Sequence, residues 1–412
     1  MARVFSGIQP SGELHLGNYL GAVRNWVRLQ DQHECLFCVV DLHAITQPYE
    51  PATLSARTLE MATGLLATGL DPDKCTLFVQ SHVPEHSELN WLLTTVTPLG
   101  ELERQTQYKD KAQRQESVPA GLLNYPILQA ADVLLYHAGL VPVGEDQVSH
   151  VEISREIVRR FNAFYGLAFK EKFKSFVEYL RSKNKEATDS REAVLFDLFC
   201  RDALGQRGIA PSEDLAEIKS AVREMVHRFG VENFVEKYGG EFVASERVLT
   251  EPDVMLTKTP RIPGLDGRKM SKSYGNAITL SESGEEIRKK TKMMVTDPAR
   301  KRRTDPGNPD VCPVYDWHKL FSSPETLKWS AEGCRTAGIG CIECKAKMAD
   351  HLIEWIAPIR ERRVEYERHP ARVLDVIDSG SAKAREVAQV TMKRVRQAVF
   401  DWDKKRKEVS GS

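Results

Sequence analysis

The 412-residue sequence lacks several features that mark whole classes of protein. No apolar run approaches the roughly 20 residues that a membrane-spanning helix needs, so we expect no membrane span. The chain has no net charge, because 58 Lys and Arg residues balance 58 Asp and Glu residues. Overall charge therefore indicates no nucleic-acid partner, and any such surface must be local. The sequence has no internal repeat, no low-complexity segment and no signal-peptide pattern.

The chain has few cysteines for its length, eight in all, which argues against a disulfide scaffold. We expect reduced thiols or metal ligands, and a cytoplasmic protein. Cys35 and Cys38 form a CxxC pair inside an apolar run. Because residues three apart in a strand point to opposite faces, the pair is better interpreted as core thiols than as a shared metal site.

What is present is a regular alternation of apolar runs and helical patterns, in a chain long enough for two domains. A helical pattern covers 54–70. Four apolar runs predict strands: 4–5, 35–40, 75–79 and 141–143. Continuous apolar strands separated by helices indicate a doubly wound α/β fold with a parallel, Rossmann-like sheet. Ligands in such folds bind at the carboxyl ends of the strands, where Asp41 and His43 follow one run.

The most informative stretch is residues 7–18, which we call the first signature. It reads Gly-Ile-Gln-Pro-Ser-Gly-Glu-Leu-His-Leu-Gly-Asn and joins the first strand to a helix N-terminus, where N–H groups and the helix dipole attract phosphate. Gly7 and Gly12 allow close approach of a ligand, while His15 and Asn18 add side-chain donors. For this stretch alone, an ordinary strand–helix turn with incidental glycines remains the alternative.

About 250 residues later comes a second signature, Lys-Met-Ser-Lys-Ser at residues 269–273. Mobile ammonium groups there could meet charge that develops on phosphates, although a solvated charged loop is the alternative. The two signatures together resemble the class I aminoacyl-tRNA synthetases, and we identify the chain as similar to the tryptophanyl-tRNA synthetase family. The resemblance covers nearly the whole chain except residues 167 to about 238.

The resemblance implies ATP-dependent activation of L-tryptophan to tryptophanyl-adenylate with release of pyrophosphate, followed by transfer to tRNA(Trp). It also implies Mg²⁺ on the phosphates and a homodimer. The catalytic residues that it implies are His15, Asn18, Lys269, Lys272 and Ser273. The ATP-binding residues that it implies are Gln9, Pro10, Ser11, Gly17, Asn18, Gly144, Glu145, Asp146, Ile262, Lys269, Met270, Ser271, Lys272 and Ser273.

A third stretch, residues 121–136, places Asp132 among apolar neighbours. A buried carboxylate needs a partner, which a backbone N–H or an arginine could supply. The stretch also resembles the tryptophan-binding segment of the family, which implies that Asp132 accepts the indole N–H and that Tyr125 helps hold the amino group. Gln129 stands where many bacterial relatives carry methionine. The full set of implied tryptophan-binding residues is Phe5, Gly7, His43, Tyr125, Gln129, Asp132 and Gln147.

The segment Gly-Glu-Asp-Gln at 144–147 follows the fourth strand. Taken alone it could be an acidic helix start. The resemblance implies that Asp146 accepts from the ribose.

The C-terminal part is helical in pattern and locally basic. Ser283 and Glu286 predict a capping box, and residues 345–412 carry 16 Lys and Arg against 11 Asp and Glu. Such a face suits RNA backbone contact, although ordinary surface charge explains it equally well.

Four cysteines follow x21, x6 and x2 spacing: Cys312, Cys334, Cys341 and Cys344. This pattern favours a four-thiolate site. The resemblance implies a four-iron four-sulfur cluster, with zinc as the alternative.

We expect four segments. Residues 1–166 form the first part of a Rossmann-type catalytic domain, 167–238 a helical insertion of unreadable role, 239–282 the second catalytic part with the second signature, and 283–412 a helical anticodon-binding domain. Two other functions stay open: a tyrosyl-tRNA synthetase-like enzyme, which shares both signatures, and a non-charging RNA-binding or regulatory paralogue.

Overall fold

The structure is a computed structural model, and it describes most of the chain in two compact units. The described residues are 2–105, 108–109, 117–144, 148–170, 219–220, 222–223, 226–227, 243–245, 247–257 and 262–410. The first unit comprises Met1–Val83, Leu140–Val148 and Val254–Ala384; the second comprises Pro84–Gly139, Ser149–Asp253 and Arg385–Ser412. The predicted helical insertion at 167–238 lies almost wholly outside the described residues.

Five of the seven described strands form one sheet. The strands are β1 (Arg3–Ile8), β2 (Glu34–Val39), β3 (Cys75–Val79), β4 (Leu140–Val143), β5 (Leu167–Phe169), β6 (Val243–Ser245) and β7 (Asp253–Leu256). The order in the larger sheet is β3–β2–β1–β4–β7, and β1 pairs in parallel with both β2 and β4. β5 and β6 form a separate antiparallel pair. The predicted parallel, doubly wound sheet is therefore confirmed.

The described helices follow the strands and then fill the C-terminal part. They are α1 (α-helical Leu16–Asn18, π-helical Tyr19–Val23, α-helical Arg24–Leu29), α2 (Asp41–Ala44), α3 (Pro51–Ala67), α4 (Glu85–Thr94), α5 (Leu99–Glu103), α6 (Ala120–Leu134), α7 (Val148–Tyr165), α8 (Gly284–Lys292), α9 (Pro313–Phe321), α10 (Pro324–Arg335), α11 (Cys341–Arg368), α12 (Pro370–Phe400) and α13 (Trp402–Ser410). Short 3₁₀ turns cover Gln80–His82, Lys272–Tyr274 and Pro309–Val311.

The core of the first unit forms because β2 is apolar on both faces. From Cys35 to Val39 every side chain is buried, and helices pack on the strand. The ring of Trp26 on α1 stacks on Phe37 with 4.7 Å between centroids. Cys35 and Cys38 are both buried, as predicted for core thiols, and burial raises the pKa of Cys35 to about 12.

The C-terminal elements follow the predicted helical patterns. Ser283 and Glu286 make the predicted capping box at the start of α8, each side chain accepting from the other residue's backbone N–H. On α11 the buried residues Leu352, Ile356 and Ile359 recur at helical spacing, so one stripe of the helix faces the core. Across the described ranges, every helix is too short or too polar to cross a membrane.

In the second unit, α4 and α6 are neighbours. Leu89 and Leu93 of α4 and Leu122 of α6 are fully buried. Pro126 lies inside α6, where its ring has no N–H to donate to the Leu122 carbonyl. The two helices thus pack through buried apolar side chains, which shield polar groups between them from water.

Candidate active site

The first signature begins as a tight turn beyond β1. The Ser11 N–H donates to the Gln9 carbonyl at 2.8 Å, and Gly12 has a φ of +96°. That left-handed backbone suits glycine and strains other residues. Pro10 is buried. The turn therefore fixes how the backbone enters the N-terminus of α1.

His15 and Asn18 cap the helix that follows. The Asn18 N–H donates to His15 Nδ1 at 3.2 Å, and the His15 N–H donates to Asn18 Oδ1 at 3.3 Å. Histidine stands here in the role that serine or threonine usually fills in a capping box. Both side chains that were predicted from the sequence are thus locked at the helix N-terminus, where the helix dipole favours an anion.

The environment of His15 keeps its ring neutral. Burial, with a smaller contribution from Lys272, lowers the pKa of His15 from 6.5 to about 4. Because Nδ1 accepts from the Asn18 N–H, the neutral ring carries its proton on Nε2. At pH 7 the imidazole therefore offers an uncharged N–H donor.

Gly17 is required by this arrangement. A Cβ at position 17 would lie 2.9 Å from both Cε1 and Nδ1 of His15, and 3.5 Å from the Met270 Cβ. The ring of His15 therefore occupies the space that a side chain at position 17 would need. Met270, which belongs to the second signature, borders the same space.

The loop of the second signature is held by Asn276, a residue that the sequence reasoning did not single out. Asn276 is 2% exposed. Its Oδ1 accepts from the Ser271 N–H at 2.8 Å, and its Nδ2 donates to Asp266 Oδ1 at 2.7 Å and to the Lys269 carbonyl at 3.1 Å. One buried amide thus fixes the backbone on both sides of Met270, which is itself buried.

Backbone pairing brings the two signatures together. The Leu16 N–H donates to the Ile278 carbonyl and the Leu280 N–H donates to the Leu14 carbonyl, both at 2.9 Å. Lys272 Nζ donates to the Ser11 carbonyl at 3.2 Å. Burial lowers the pKa of Lys272, although nearby Glu60 and Glu13 act in the opposite direction. Two motifs about 250 residues apart in the sequence therefore lie together within the first unit.

A network of charged and polar side chains adjoins this pairing. Glu13 accepts from the Ser281 hydroxyl and from Arg363 Nη2, the latter at 3.3 Å. Arg363 of α11 is buried and also contacts Glu60 of α3 at 3.4 Å. Despite desolvation, the hydrogen bonds and Arg363 hold the pKa of Glu13 below its ordinary value. No local sequence pattern predicts this network, because its members are far apart in the chain.

The other predicted residues of the first unit lie in separate places. Phe5 and Gly7 are on β1, where a Cβ at Gly7 would lie 2.7 Å from Val40 Cγ1. His43 is buried on α2. Gly144 follows β4, and Ile262 is buried near the second signature. Ser273 lies in the 3₁₀ turn Lys272–Tyr274. Three predicted residues lie outside the described part of the chain: Glu145, Asp146 and Gln147.

In the second unit, the predicted tryptophan-binding residues share one face of α6. Tyr125, Gln129 and Asp132 follow i, i+4, i+7 spacing. Tyr125 and Asp132 are buried, and burial raises the pKa of Tyr125 to about 12. Asp132 Oδ1 lies 2.6 Å from His86 Nδ1. One partner of the buried carboxylate is therefore a histidine, which no local sequence pattern indicates.

The four C-terminal cysteines lie on neighbouring elements of the first unit. Cys312 caps α9, Cys334 is near the end of α10, and Cys341 and Cys344 lie on the first turn of α11. Burial, reinforced by the other three thiols, raises the pKa of Cys344 to about 12. Arg300, which is buried, points Nη1 at Cys334 Sγ from 3.9 Å.

The four thiols lie on or beside three helices that pack against one another, α9, α10 and α11. Cys344 Sγ also lies 3.4 Å from His318 Nε2. Within the described ranges, no group of three or more His, Cys, Asp or Glu side chains is arranged to hold a metal ion. Binding a metal here would need the thiols to turn toward a common centre.

Comparison with known proteins agrees with this geometry. The family described as tRNA synthetases class I (W and Y) matches residues 1–186 and 221–356. A tryptophan–tRNA ligase from Deinococcus radiodurans is 44% identical over 405 residues, which are 97% of this chain and 98% of the relative. The corresponding protein from Ralstonia nicotianae is 44% identical over 401 residues, covering 96% and 98%.

Solved structures give the same result. The chain superimposes on tryptophanyl-tRNA synthetase from Campylobacter jejuni, solved with ADP and tryptophan, with a TM-score of 0.70 at 28% identity, covering 96% of this chain and 99% of that one. For the Mycoplasma pneumoniae enzyme the TM-score is 0.64 at 25% identity, with 97% of each chain covered. With the family matched over most of its length and relatives matched from end to end, the chain belongs to the class I tRNA synthetases of the tryptophan and tyrosine group.

Proposed function

We propose that this protein is a tryptophan–tRNA ligase, which activates L-tryptophan with ATP and transfers it to tRNA(Trp). The observation that carries this proposal is the pairing of the two signatures, with Leu14 and Leu16 bonded to the backbone of 278–280 and Lys272 on the Ser11 carbonyl. The full-length identity of 44% to tryptophan–tRNA ligases supports the tryptophan substrate.

The first signature supplies the phosphate-binding donors. The N-terminus of α1 presents backbone N–H groups, and the neutral ring of His15 adds its Nε2–H. Asn18 adds its amide NH₂, since its Oδ1 is held by the His15 N–H. An uncharged donor that is fixed in advance can stabilise negative charge in the transition state without reorganising.

The second signature supplies positive charge. Lys269, Lys272 and Ser273 act on the phosphates, and Ser271 and Met270 hold the loop in place. The substrate carboxylate attacks the α-phosphorus of ATP, and the bond to pyrophosphate breaks, so no nucleophilic side chain is needed. ATP enters as its magnesium complex. The remaining ATP contacts are assigned to Gln9, Pro10, Ser11, Gly17, Gly144, Glu145, Asp146 and Ile262.

Tryptophan is recognised mainly by the α6 face. Asp132 accepts the indole N–H, Tyr125 contacts the amino group, and Gln129 forms part of the wall. The further residues assigned to this substrate are Phe5, Gly7, His43 and Gln147. A buried acceptor of this kind rejects a side chain that lacks the donor, because the acceptor is left unpaired.

The four cysteines are assigned to a four-iron four-sulfur cluster, with zinc as the alternative. Soft thiolates suit either metal. Two features of the structure fit a thiolate site: the buried guanidinium of Arg300 near Cys334, and Gly307, whose Cβ would lie 2.6 Å from Cys334 Sγ. When bound, the cluster would tie α9, α10 and α11 together and support tRNA binding. Iron, sulfide and zinc analysis of anaerobically purified protein distinguishes the two metals.

Three broader assignments accompany this function. Residues 283–412, with their excess of basic residues, are assigned to tRNA(Trp) and its anticodon. The protein is assigned to the cytoplasm, where tRNA is charged, and to a homodimer, as in its family. Light scattering of the purified protein tests the dimer.

Amino-acid-dependent ATP–pyrophosphate exchange, measured with each of the twenty amino acids, tests the main proposal. We expect exchange with tryptophan alone. Exchange with tyrosine would make the protein a tyrosyl-tRNA synthetase-like enzyme. No exchange with any amino acid would make it a non-charging, RNA-binding paralogue.

A further inference from the structure

A chain of three buried polar side chains links α4 to the end of α6 in the second unit. His86 and Tyr136 are each 0% exposed, and Asp132 is 2% exposed. His86 Nδ1 lies 2.6 Å from Asp132 Oδ1, and His86 Nε2 lies 2.7 Å from the Tyr136 hydroxyl. Asp132 and Tyr136 are four residues apart, so both reach the same imidazole from one side.

When Asp132 is a carboxylate and the His86 ring is neutral, one arrangement of protons satisfies both hydrogen bonds of these three side chains. A carboxylate only accepts hydrogen bonds. His86 Nδ1 must then carry a proton and donate it to Asp132. In the neutral ring Nε2 accepts, and the Tyr136 O–H donates to it. The opposite tautomer would place two acceptors 2.6 Å apart.

This arrangement has a consequence for the carboxylate. A donor on one oxygen fixes the plane of the carboxylate and favours its ionised form. An ionised carboxylate in a dry environment forms strong hydrogen bonds with donors and rejects groups that have none. The Tyr136 hydroxyl contributes indirectly, because it selects the His86 tautomer that donates to Asp132.

We propose that His86, backed by Tyr136, is a positioning residue that holds Asp132 as an oriented, ionised acceptor and so sets selectivity for an amino acid whose side chain carries a ring N–H. The proposal rests on the assignment of Asp132 to the indole N–H. A purely structural link between α4 and α6 would support folding but would not distinguish an N–H from an isosteric ring atom.

The test compares tryptophan with β-(3-benzothienyl)alanine, in which sulfur replaces the indole N–H. The ratio of kcat/KM values for the two substrates is measured by pyrophosphate exchange. Asp132→Ala should lower the ratio about thirtyfold, and Tyr136→Phe, which loses one net hydrogen bond in the chain, about fivefold. His86→Leu should lower it about tenfold or more, whereas His86→Asn, whose amide N–H can replace Nδ1–H, should stay within about threefold of the native ratio.

Thr94→Val is the matched control. It removes another hydrogen bond between α4 and α6, from Asn124 Nδ2 to Thr94 Oγ1 at 3.0 Å, without touching Asp132. The control should leave the ratio unchanged. If His86→Leu fails to fold, Tyr136→Phe and His86→Asn still decide the matter.

The outcomes separate the two assignments. If Asp132→Ala lowers the ratio but Tyr136→Phe does not, the positioning role is wrong and the role of Asp132 stands. If Asp132→Ala also leaves the ratio unchanged, Asp132 does not bind the indole N–H and both assignments fall. If kcat/KM falls equally for both substrates in the Tyr136 and His86 variants, the contacts among these side chains are a structural link only.

Discussion

Replacing Gly17 by alanine should separate catalysis from stability. The new Cβ would lie 2.9 Å from two atoms of the His15 ring, which is tighter than real Cβ contacts allow. Met270 Cβ stands 3.5 Å away in the same space, so we expect the imidazole to move. Moving it breaks the bond from the Asn18 N–H to Nδ1 and turns the Nε2–H away from its direction.

Two opposing terms act on stability. Alanine is favoured over glycine in a helix by up to about 1 kcal/mol. Loss of the His15 side-chain cap costs about 1 kcal/mol. The free energy of unfolding should therefore change by less than about 1 kcal/mol. Activity has no such compensation, because losing one prepositioned donor to developing charge lowers a rate about 100-fold.

The assay is single-turnover formation of tryptophanyl-adenylate, with urea unfolding measured on the same samples. Gly21→Ala is the control, since Gly21 lies in the π-helical part of α1 and its Cβ would meet nothing within 4 Å. It should keep the native rate. A Gly17→Ala variant with a rate within about threefold of native would refute the role given to the His15 ring.

The remaining predictions concern four side chains. Lys272→Ala should lower the single-turnover rate constant by a larger factor than it weakens ATP binding, because the ammonium acts on charge that develops in the transition state; a pure affinity loss would contradict this. Asp132→Ala should cost roughly 2–3 kcal/mol of discrimination for tryptophan over phenylalanine, and an unchanged ratio of kcat/KM values would exclude the assignment. Cys341→Ser should bleach a brown, anaerobically purified protein and weaken tRNA charging while pyrophosphate exchange survives; equal loss of both would make the site a general fold support. The lowered pKa of His15, about 4, means that its neutral form stabilises the fold fully above pH 6.5 and that this contribution is lost as pH falls toward 4. His15→Asn should therefore lose less thermal stability than the native protein between pH 7 and 5, and equal losses would contradict the assigned pKa.

The strands that frame the site could be predicted from local sequence. β2 and β3 are continuous apolar runs, and in a parallel sheet buried on both faces such runs have few alternatives. The first signature was also predictable, since glycines between an apolar strand and a helical pattern indicate a tight turn at a helix N-terminus. These features depend on neighbours a few residues away, which the sequence displays directly.

The supports of the site could not be predicted because they depend on distant partners. Asn276 holds the second signature from a buried position, yet its sequence neighbourhood reads as an ordinary polar loop. Arg363 lies 350 residues from Glu13 and looks like any charged helix residue until α11 is packed. His86 shows no local pattern that points to Asp132. In each case tertiary packing, rather than periodicity, selects the partner.

The positions of the cysteines could be predicted only in part. The x21, x6 and x2 spacing grouped Cys312, Cys334, Cys341 and Cys344, and in the structure these residues lie on or beside three neighbouring helices. Arg300, which contacts Cys334, precedes all four cysteines in the sequence, however. The path of a long loop determines which side chains contact a cysteine, and that path cannot be predicted from composition or spacing.

Both half-reactions of the proposed tryptophan–tRNA ligase can be followed in one experiment. The protein is mixed with ATP and labelled tryptophan, the adenylate is isolated on the enzyme, and tRNA(Trp) is then added. We expect one equivalent of tryptophanyl-adenylate per active site, followed by tryptophan esterified to the tRNA. Absence of the adenylate, or an adenylate that forms but never passes to tRNA(Trp), would contradict the central claim.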